Sequence, residues 1–337
     1  MKKILAVLLA LVIVACGFAA CSNNNGGEST TAADGTTGEN QSAGKTIATV
    51  KVGTGSTTGT YYAFTTAAVQ LFTTDAYKFE VISTGGSQAN IEGIEDGDYH
   101  MATVQNDVMN YAYSGTNGFS EKITSFSAIG CVYPEVCQLI TTKASGIKTI
   151  ADLKGKNVAI GDVGSGVYYN ATQILEAAGI DIENDIKTTA VSFGDSATAL
   201  KDGAIDAAFI TAGTPTTAIT ELATATDVVA VDLGEDVIAK LMDKYSFYAK
   251  YEMTSKDYDF ITEPVNTVAI MATLVVTNDM SEEQAYEITK NLWEKQPEIA
   301  AAHAKGKEMN TVNALSIGDV PLHAGAAKYY REAGILK

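Results

Sequence analysis

Apolar segments of strand length alternate with segments of helical spacing along most of this chain. The strand-length segments are 47–53, 79–83, 101–104, 157–161, 187–192 and 206–211. Strands that alternate with helices favour parallel sheets with helices on their faces. Two longer stretches, Phe126–Thr142 and Thr267–Thr277, are predicted to be extended strands. A helix is predicted after the second stretch, where Ser281 and Gln284 have the spacing of a capping box.

Two parts of the chain repeat one pattern, in which a strand ending in glycine is followed by a Gly-Ser pair and then by two tyrosines. The pattern occurs at Gly53, Gly55-Ser56 and Tyr61-Tyr62, and again at Gly161, Gly164-Ser165 and Tyr168-Tyr169. Gly97 and Gly203, where helices are predicted to end, keep the same spacing of 106 to 108 residues. Self-similarity over such a period indicates repeated structural units.

The repeat predicts an α/β protein with two lobes. Each lobe is expected to be a parallel-rich sheet flanked by helices, and the two extended strands are expected to join the lobes as a hinge. Lobe 1 is predicted to contain residues 46–135 and 267–337, and lobe 2 residues 136–266. The whole molecule is therefore predicted to be a hinged clamshell.

The first 45 residues predict the location of the protein. Residues 1–20 have the charged start and the short apolar run of a secretory signal peptide. They end in Phe18-Ala19-Ala20-Cys21, which resembles a bacterial lipobox, so Cys21 is the predicted lipidation site and Cys16 is the alternative. Residues 21–45 contain no aromatic or large aliphatic residue and are predicted to be a disordered tether. We expect an extracytoplasmic lipoprotein, on the outer surface of a Gram-positive cell or otherwise in the periplasm.

Composition excludes several classes of partner. The formal net charge of −17 argues against nucleic acid and against binding along an anionic lipid surface. The three histidines lie far apart, and neither a metal nor a cofactor is expected. Cys131 and Cys137 would lie roughly 20 Å apart on one strand, so we predict free thiols. A tight turn at Tyr133-Pro134 is the alternative that would bring them together.

The glycine-rich loops do not have the spacing of catalytic or nucleotide-binding motifs. Gly53-Thr54-Gly55 begins like a dinucleotide fingerprint, but the third glycine, Gly59, comes one place late. The loop from Gly161 has P-loop spacing, but Val167 stands where the lysine is required. No Gly-x-Ser-x-Gly is present. These loops therefore predict binding without chemistry.

Binding is expected where these loops meet the starts of helices, because helix N-termini present free N–H groups and ligands bind beyond the carboxyl ends of parallel strands. Thr214 and Pro215 are predicted to begin a helix, Gln105 to hydrogen-bond a ligand and Asp107 to neutralise a ligand ammonium. Ser165 and Thr214 could also serve only as helix caps, and Asp107 in a first helical turn could be stabilised by the helix dipole alone. Which tyrosine of each pair faces the cleft stays open. The predicted ligand-binding residues are Thr54, Ser56, Thr57, Tyr61, Gln105, Asp107, Gly164, Ser165, Gly166, Val167, Thr211, Gly213, Thr214 and Pro215.

From residue 47 to 337 the chain resembles the TAXI family of solute-binding proteins, which serve TRAP (tripartite ATP-independent periplasmic) transporters. The resemblance rests on GTGSTTGTYY at 53–62, STGGS at 83–87, VQNDV at 104–108 and VPLHAGAAKYY at 320–330. The chain departs from the family at Ala63 and Ala324, where proline is common, and at Asn106, where serine is common.

The resemblance implies a type II-like periplasmic-binding-protein clamshell without enzymatic activity. It implies capture of a small organic acid or amino acid, such as glutamate, glutamine or a C5 dicarboxylate, and delivery to a TRAP permease driven by an ion gradient. A monomer is expected. The alternatives are a binding lipoprotein of an ABC importer, a tethered sensor and, more remotely, a secreted hydrolase, for which no nucleophile and base pair is evident.

Overall fold

The computed structural model describes residues 44–337. The predicted signal peptide, Cys16, Cys21 and the tether up to residue 43 lie outside the described residues. Within residues 44–337, no helix has both the length and the apolar character needed to cross a membrane. Lys45 already belongs to the fold, because its N–H donates to the carbonyl of Asp279 (3.0 Å).

The described residues form ten strands and ten α-helices, which follow the predicted alternation. In chain order they are β1 (Thr49–Gly53), α1 (Thr60–Phe72), β2 (Lys78–Ile82), α2 (Ser87–Glu95), β3 (Met101–Gln105), α3 (Asn106–Ser114), β4 (Phe126–Thr142), β5 (Asn157–Ala159), α4 (Gly166–Ala177), β6 (Lys187–Thr189), α5 (Phe193–Lys201), β7 (Ala207–Ala212), α6 (Thr217–Ala225), β8 (Val228–Ala230), α7 (Glu235–Lys244), β9 (Ala249–Met253), β10 (Val265–Thr277), α8 (Glu282–Glu294), α9 (Gln296–Ala302) and α10 (Ala324–Glu332).

The predicted repeat is confirmed as two units of the same plan. We call β1–α1–β2–α2–β3–α3 (residues 49–114) the first half and β5–α4–β6–α5–β7–α6 (residues 157–225) the second half. In each half the three strands pair in parallel, with the first strand of the unit in the middle. Gly97 and Gly203 follow the ends of α2 and α5 with φ angles of 80° and 69°, which glycine adopts without strain.

All strands of residues 44–337 belong to one ten-stranded sheet, ordered β2-β1-β3-β10-β4-β7-β5-β6, with β8 on β4 and β9 on β10. The two long strands β4 and β10 pair antiparallel with each other. The last part of β10 pairs with β3, and the last part of β4 pairs with β7. The predicted hinge strands thus carry the hydrogen bonding from the first half to the second.

Each half has apolar cores on its sheet. In the first half, Val50 and Val52 of β1 pack with Phe64 and Phe72 of α1, and in the second half Val158 packs with residues of α4. All five residues of β3 are buried. Burial on both sides is expected of parallel strands that helices cover on both faces. The helices therefore hold the carboxyl ends of the strands in fixed positions.

Two local predictions about β4 and α8 have different outcomes. Cys131 and Cys137 are free thiols, as predicted, and both are buried; β4 continues through Tyr133-Pro134, so the alternative of a tight turn is wrong. The capping box of α8 forms only in part: the Ser281 hydroxyl accepts from the N–H of Gln284 (3.2 Å). The Gln284 amide instead bonds both backbone groups of Ile47, because the chain before β1 lies alongside this helix start.

Candidate functional site

A cavity lies between the two halves, at the carboxyl ends of their six parallel strands. Its empty space is about 500 Å³ when the open solvent at its mouth is counted. Ligands of open α/β sheets bind at this edge. The lining residues are Gly55, Ser56, Gly59, Thr60, Tyr61, Thr84, Gly85, Gly86, Ser87, Gln105, Glu135, Asp162, Ser165, Gly166, Val167, Phe193, Thr211 and Ala212.

Seven of the fourteen predicted ligand residues lie in this lining and seven do not. Those in the lining are Ser56, Tyr61, Gln105, Ser165, Gly166, Val167 and Thr211. Those outside it are Thr54, Thr57, Asp107, Gly164, Gly213, Thr214 and Pro215. Tyr61 is the cavity-facing member of the first tyrosine pair, whereas neither Tyr168 nor Tyr169 lines the cavity.

The residues outside the lining have identifiable places of their own. Thr54 is buried and donates to the carbonyl of Ile82 (2.7 Å), and Thr57 is exposed. The carbonyls of Gly164 and Gly213 accept hydrogen bonds from the first half. Pro215 lines a separate surface groove.

The predicted helix start at Thr214 and Pro215 is wrong. The helix that follows, α6, begins at Thr217 and has Thr216 at its N-cap position. The Thr214 hydroxyl donates to Asp257 Oδ1 (2.5 Å), so it does not serve as the cap of α6.

Four helices begin at the cavity. The first residues of α1, α2, α4 and α5 are Thr60, Ser87, Gly166 and Phe193, and all four are lining residues. The Ser165 hydroxyl caps α4 by accepting from Tyr168 N (3.2 Å). Helix starts carry unpaired N–H groups and a partial positive charge, so together they favour a bound carboxylate.

Gln105 brings a buried polar side chain into the same place. Its side chain is 2% exposed, and its Oε1 accepts no hydrogen bond from residues 44–337. It lies so close to the start of α4 that a Cβ on Gly166 would be 2.0 Å from Oε1. A buried polar atom without a partner is costly, so this amide is placed to bond a ligand.

Glu135 is a lining residue that the sequence reasoning missed. It lies in the middle of β4 and is 1% exposed, and one of its carboxylate oxygens accepts a hydrogen bond from the Tyr61 hydroxyl. Burial raises the pKa of Glu135 well above its usual value, although the hydrogen bond from Tyr61 acts in the opposite direction. The available signal was that Glu135 is the only charged residue among the seventeen residues of β4.

The two halves contact each other around the cavity. Backbone bonds join Gln88 N to Gly164 O (3.1 Å) and Ala218 N to Thr58 O (3.2 Å). The Tyr169 hydroxyl donates to Gln88 Oε1 (2.6 Å). The two halves are thus in contact around a cavity that is open to solvent at its mouth, an arrangement that we call closed.

Asp107 takes part in this contact rather than in the cavity. Its Oδ2 accepts from Asn170 Nδ2 (3.0 Å), which belongs to α4 of the other half, and Asn170 also donates to the Tyr248 hydroxyl (2.9 Å). Beside this pair, Gln173 Nε2 donates to the Tyr111 hydroxyl (3.1 Å). Burial raises the pKa of Asp107 from 3.8 to about 7. This carboxyl is therefore part of a buried polar cluster between α3 and α4.

Comparison with solved structures identifies the same kind of fold. A protein from Bordetella bronchiseptica is 17% identical over 86% of this chain and 90% of that chain, with a TM-score of 0.50. A structure from Streptococcus mutans, solved for glutathione import via GshT and the cystine ABC importer TcyBC, is 10% identical over 78% and 97%, with a TM-score of 0.51. The alkanesulfonate-binding protein SsuA from Xanthomonas axonopodis pv. citri, bound to MOPS, is 14% identical over 87% and 86%, with a TM-score of 0.47.

At these identities the likeness shows the fold alone, and the structures with TM-scores of 0.50 and 0.51 confirm the predicted two-lobed α/β fold. The sequence itself matches a family model, that of the NMT1-like family, over residues 52–334. This match covers most of the chain and nearly all of the described residues. The chain belongs to the NMT1-like family.

Proposed function

We propose that the protein is an extracytoplasmic solute-binding protein that captures a small organic acid or amino acid between its two halves. The observation that carries this proposal is the cavity at the carboxyl ends of six parallel strands, with four helix starts and the unpartnered amide oxygen of Gln105 in its lining. The lining serines have no histidine, lysine or cysteine beside them in the cavity. This composition supports binding without catalysis.

The carboxylate of such a ligand is held without arginine in this proposal. The only arginine of the chain, Arg331, is exposed on α10 and does not line the cavity. Helix-start N–H groups and hydroxyls, including that of Ser165, are the available donors. Each hydrogen bond to a charged group contributes about 1.5–3 kcal/mol, so a few of them are sufficient for useful affinity.

Delivery to a membrane permease completes the proposal. The motifs shared with the TAXI family favour a TRAP permease driven by an ion gradient, and Cys21 is the proposed lipid anchor of a monomeric protein. The lobes are proposed to be residues 46–135 with 267–337, and residues 136–266. An ABC importer is the second candidate, favoured by the fold shared with the Streptococcus mutans structure, which was solved for import through such a transporter.

A thermal-shift screen of the soluble chain from residue 22 tests the binding function. Amino acids, their 2-oxo acids, dicarboxylates and alkanesulfonates are added one at a time. A specific rise in melting temperature with one of them is expected, because a ligand at a hundred times its Kd stabilises the folded state by about 2.7 kcal/mol. No stabilisation by any member would contradict the proposal. Uptake that needs a Na⁺ gradient identifies a TRAP permease, whereas uptake that needs ATP identifies an ABC importer.

A further inference from the structure

We infer that the ligand carries a positively charged amino group and that this group pairs with the carboxylate of Glu135. The protein would then take amino acids in preference to dicarboxylates or oxo acids of the same size. This inference rests on the proposed function and narrows it, because that function leaves both ligand classes open.

The position of Glu135 is that of a ligand-binding group rather than of a structural ion pair. It lies at the centre of the sheet, where β4 crosses between the halves, and its carboxylate is in the cavity lining. Tyr61 donates to one carboxylate oxygen, and no described residue donates to the other. A carboxylate has room for about four hydrogen bonds, so most of its capacity is free for a ligand.

The charges around Glu135 leave its own charge without a partner. No lysine or arginine lines the cavity, and the second acid in the lining, Asp162, adds to the negative charge. The charge of Lys305 lowers the pKa of Glu135 from outside the lining, but this lysine is buried and already bonded through Nζ to Glu308 Oε1 (2.6 Å). Buried carboxylates without a cation are unfavourable, so an ammonium from the ligand would supply what the protein lacks.

The hydrogen-bonding groups favour the same ligand chemistry. An ammonium offers three donors and no acceptor. The free oxygen of Glu135 and the unpartnered Oε1 of Gln105 are both acceptors in one cavity. A ligand that has only carboxylates and carbonyls would bring further acceptors to these oxygens, and it would gain no bond from them while Glu135 is ionised.

The cationic and anionic poles of the site are adjacent. Tyr61 lies in the first turn of α1, where free N–H groups favour a carboxylate, and its hydroxyl bonds Glu135. The start of α4 at Gly166 adds a second anion-favouring end against Gln105. An α-amino acid carries both an ammonium and a carboxylate, so it can offer one group to Glu135 and the other to a helix start.

Matched ligand pairs and one isosteric substitution test the inference. Calorimetry on the chain from residue 22 compares each of the twenty amino acids with its 2-oxo acid, and L-glutamate also with glutarate. The protein is used as wild type, as Glu135→Gln and as Glu263→Gln, which makes the same charge change at an exposed glutamate. The wild-type comparison stands on its own if the Glu135 variant fails to fold.

We expect at least one amino acid to bind the wild type about thirtyfold or more tightly than its 2-oxo acid, as for one buried charge pair. Glu135→Gln should abolish this discrimination by weakening only the amino acid, and Glu263→Gln should retain it. Equal or tighter binding of the amine-free partner, or discrimination that survives Glu135→Gln, overturns the inference but leaves the proposed function intact. If no small molecule binds the wild type, the inference and the proposed function both fail.

Discussion

Replacing Gly166 with alanine should weaken ligand binding without weakening the fold. Gly166 is the first residue of α4, and its backbone is in a region that alanine also adopts. Alanine is a better helix former than glycine, by up to about 1 kcal/mol in a helix interior. The melting temperature of the ligand-free protein should therefore stay the same or rise slightly.

The free-energy cost of Gly166→Ala is expected only when the two halves are in contact. The new methyl carbon would lie 2.0 Å from Gln105 Oε1 and 2.2 Å from its Cδ, so the amide or the start of α4 must move by more than 1 Å to restore contact distance. Overpacking of this kind costs about 1–3 kcal/mol. Because Gln105 and Gly166 come from different halves, an open form does not bear this cost. The dissociation constant should therefore rise about fivefold to a hundredfold.

Calorimetry with the amino acid that stabilises the wild type most is the assay. Gly194→Ala is the matched control: it makes the same substitution in the first turn of α5, and its methyl would meet Thr58 of the other half at an ordinary 3.5 Å. The control should bind like the wild type. A Gly166→Ala protein that keeps its wild-type affinity would refute the idea that closure brings Gln105 against the start of α4.

Three further predictions follow from the site and the chain around it. Burial raises the pKa of Asp107 from 3.8 to about 7, so the folded state binds the proton of this carboxyl more tightly than the unfolded state does. The free energy of unfolding should therefore fall by up to about 4 kcal/mol as the pH rises from about 4 to about 7. Asp107→Asn should flatten this part of a profile of melting temperature against pH, and an unchanged profile would contradict the buried position of Asp107. Ser165→Ala should lower both the melting temperature and the ligand affinity, because the Ser165 hydroxyl caps α4 (about 1 kcal/mol) and Ser165 lines the cavity. Thr57→Ala and Arg331→Ala should bind the ligand normally in calorimetry. A large loss of affinity for Arg331→Ala would refute the arginine-free site. Cys21→Ser should release the protein from membranes in a fractionation experiment, and a diacylglyceryl mass on a chain that begins at Cys16 would contradict this choice of anchor.

The fold was largely predictable because its signals are local and occur twice. The alternation of apolar strands with helices, and the paired glycines such as Gly97 and Gly203, follow from backbone requirements that sequence displays directly. The register in which β4 pairs with β10 was not predictable. Hydrogen-bond partners 130 or more residues apart leave no local pattern, so the continuity of the sheet from one half to the other appeared only in the structure.

The site was predictable where it depends on helix starts, and it was less predictable where it depends on the direction in which a side chain points. Gln105 and Asp107 lie two positions apart at the start of α3, but successive helix residues turn by about 100°, so one faces the cavity and the other faces Asn170. Ser87 belongs to the STGGS motif at 83–87, which contributes to the family resemblance but does not by itself indicate a ligand contact. Glu135 was missed because it lies inside a strand interpreted as a hinge.

A crystal structure of the soluble chain with its tightest small-molecule ligand tests the central claim most directly. We predict that the ligand occupies the cavity between the two halves, with its carboxylate at the starts of α1 and α4 and with one of its donor groups within hydrogen-bond distance of Gln105 Oε1. The halves should stay closed as described, with Gln88 bonded to Gly164. A ligand bound on the outer surface, or one held by a single half with the cleft open, would contradict the account.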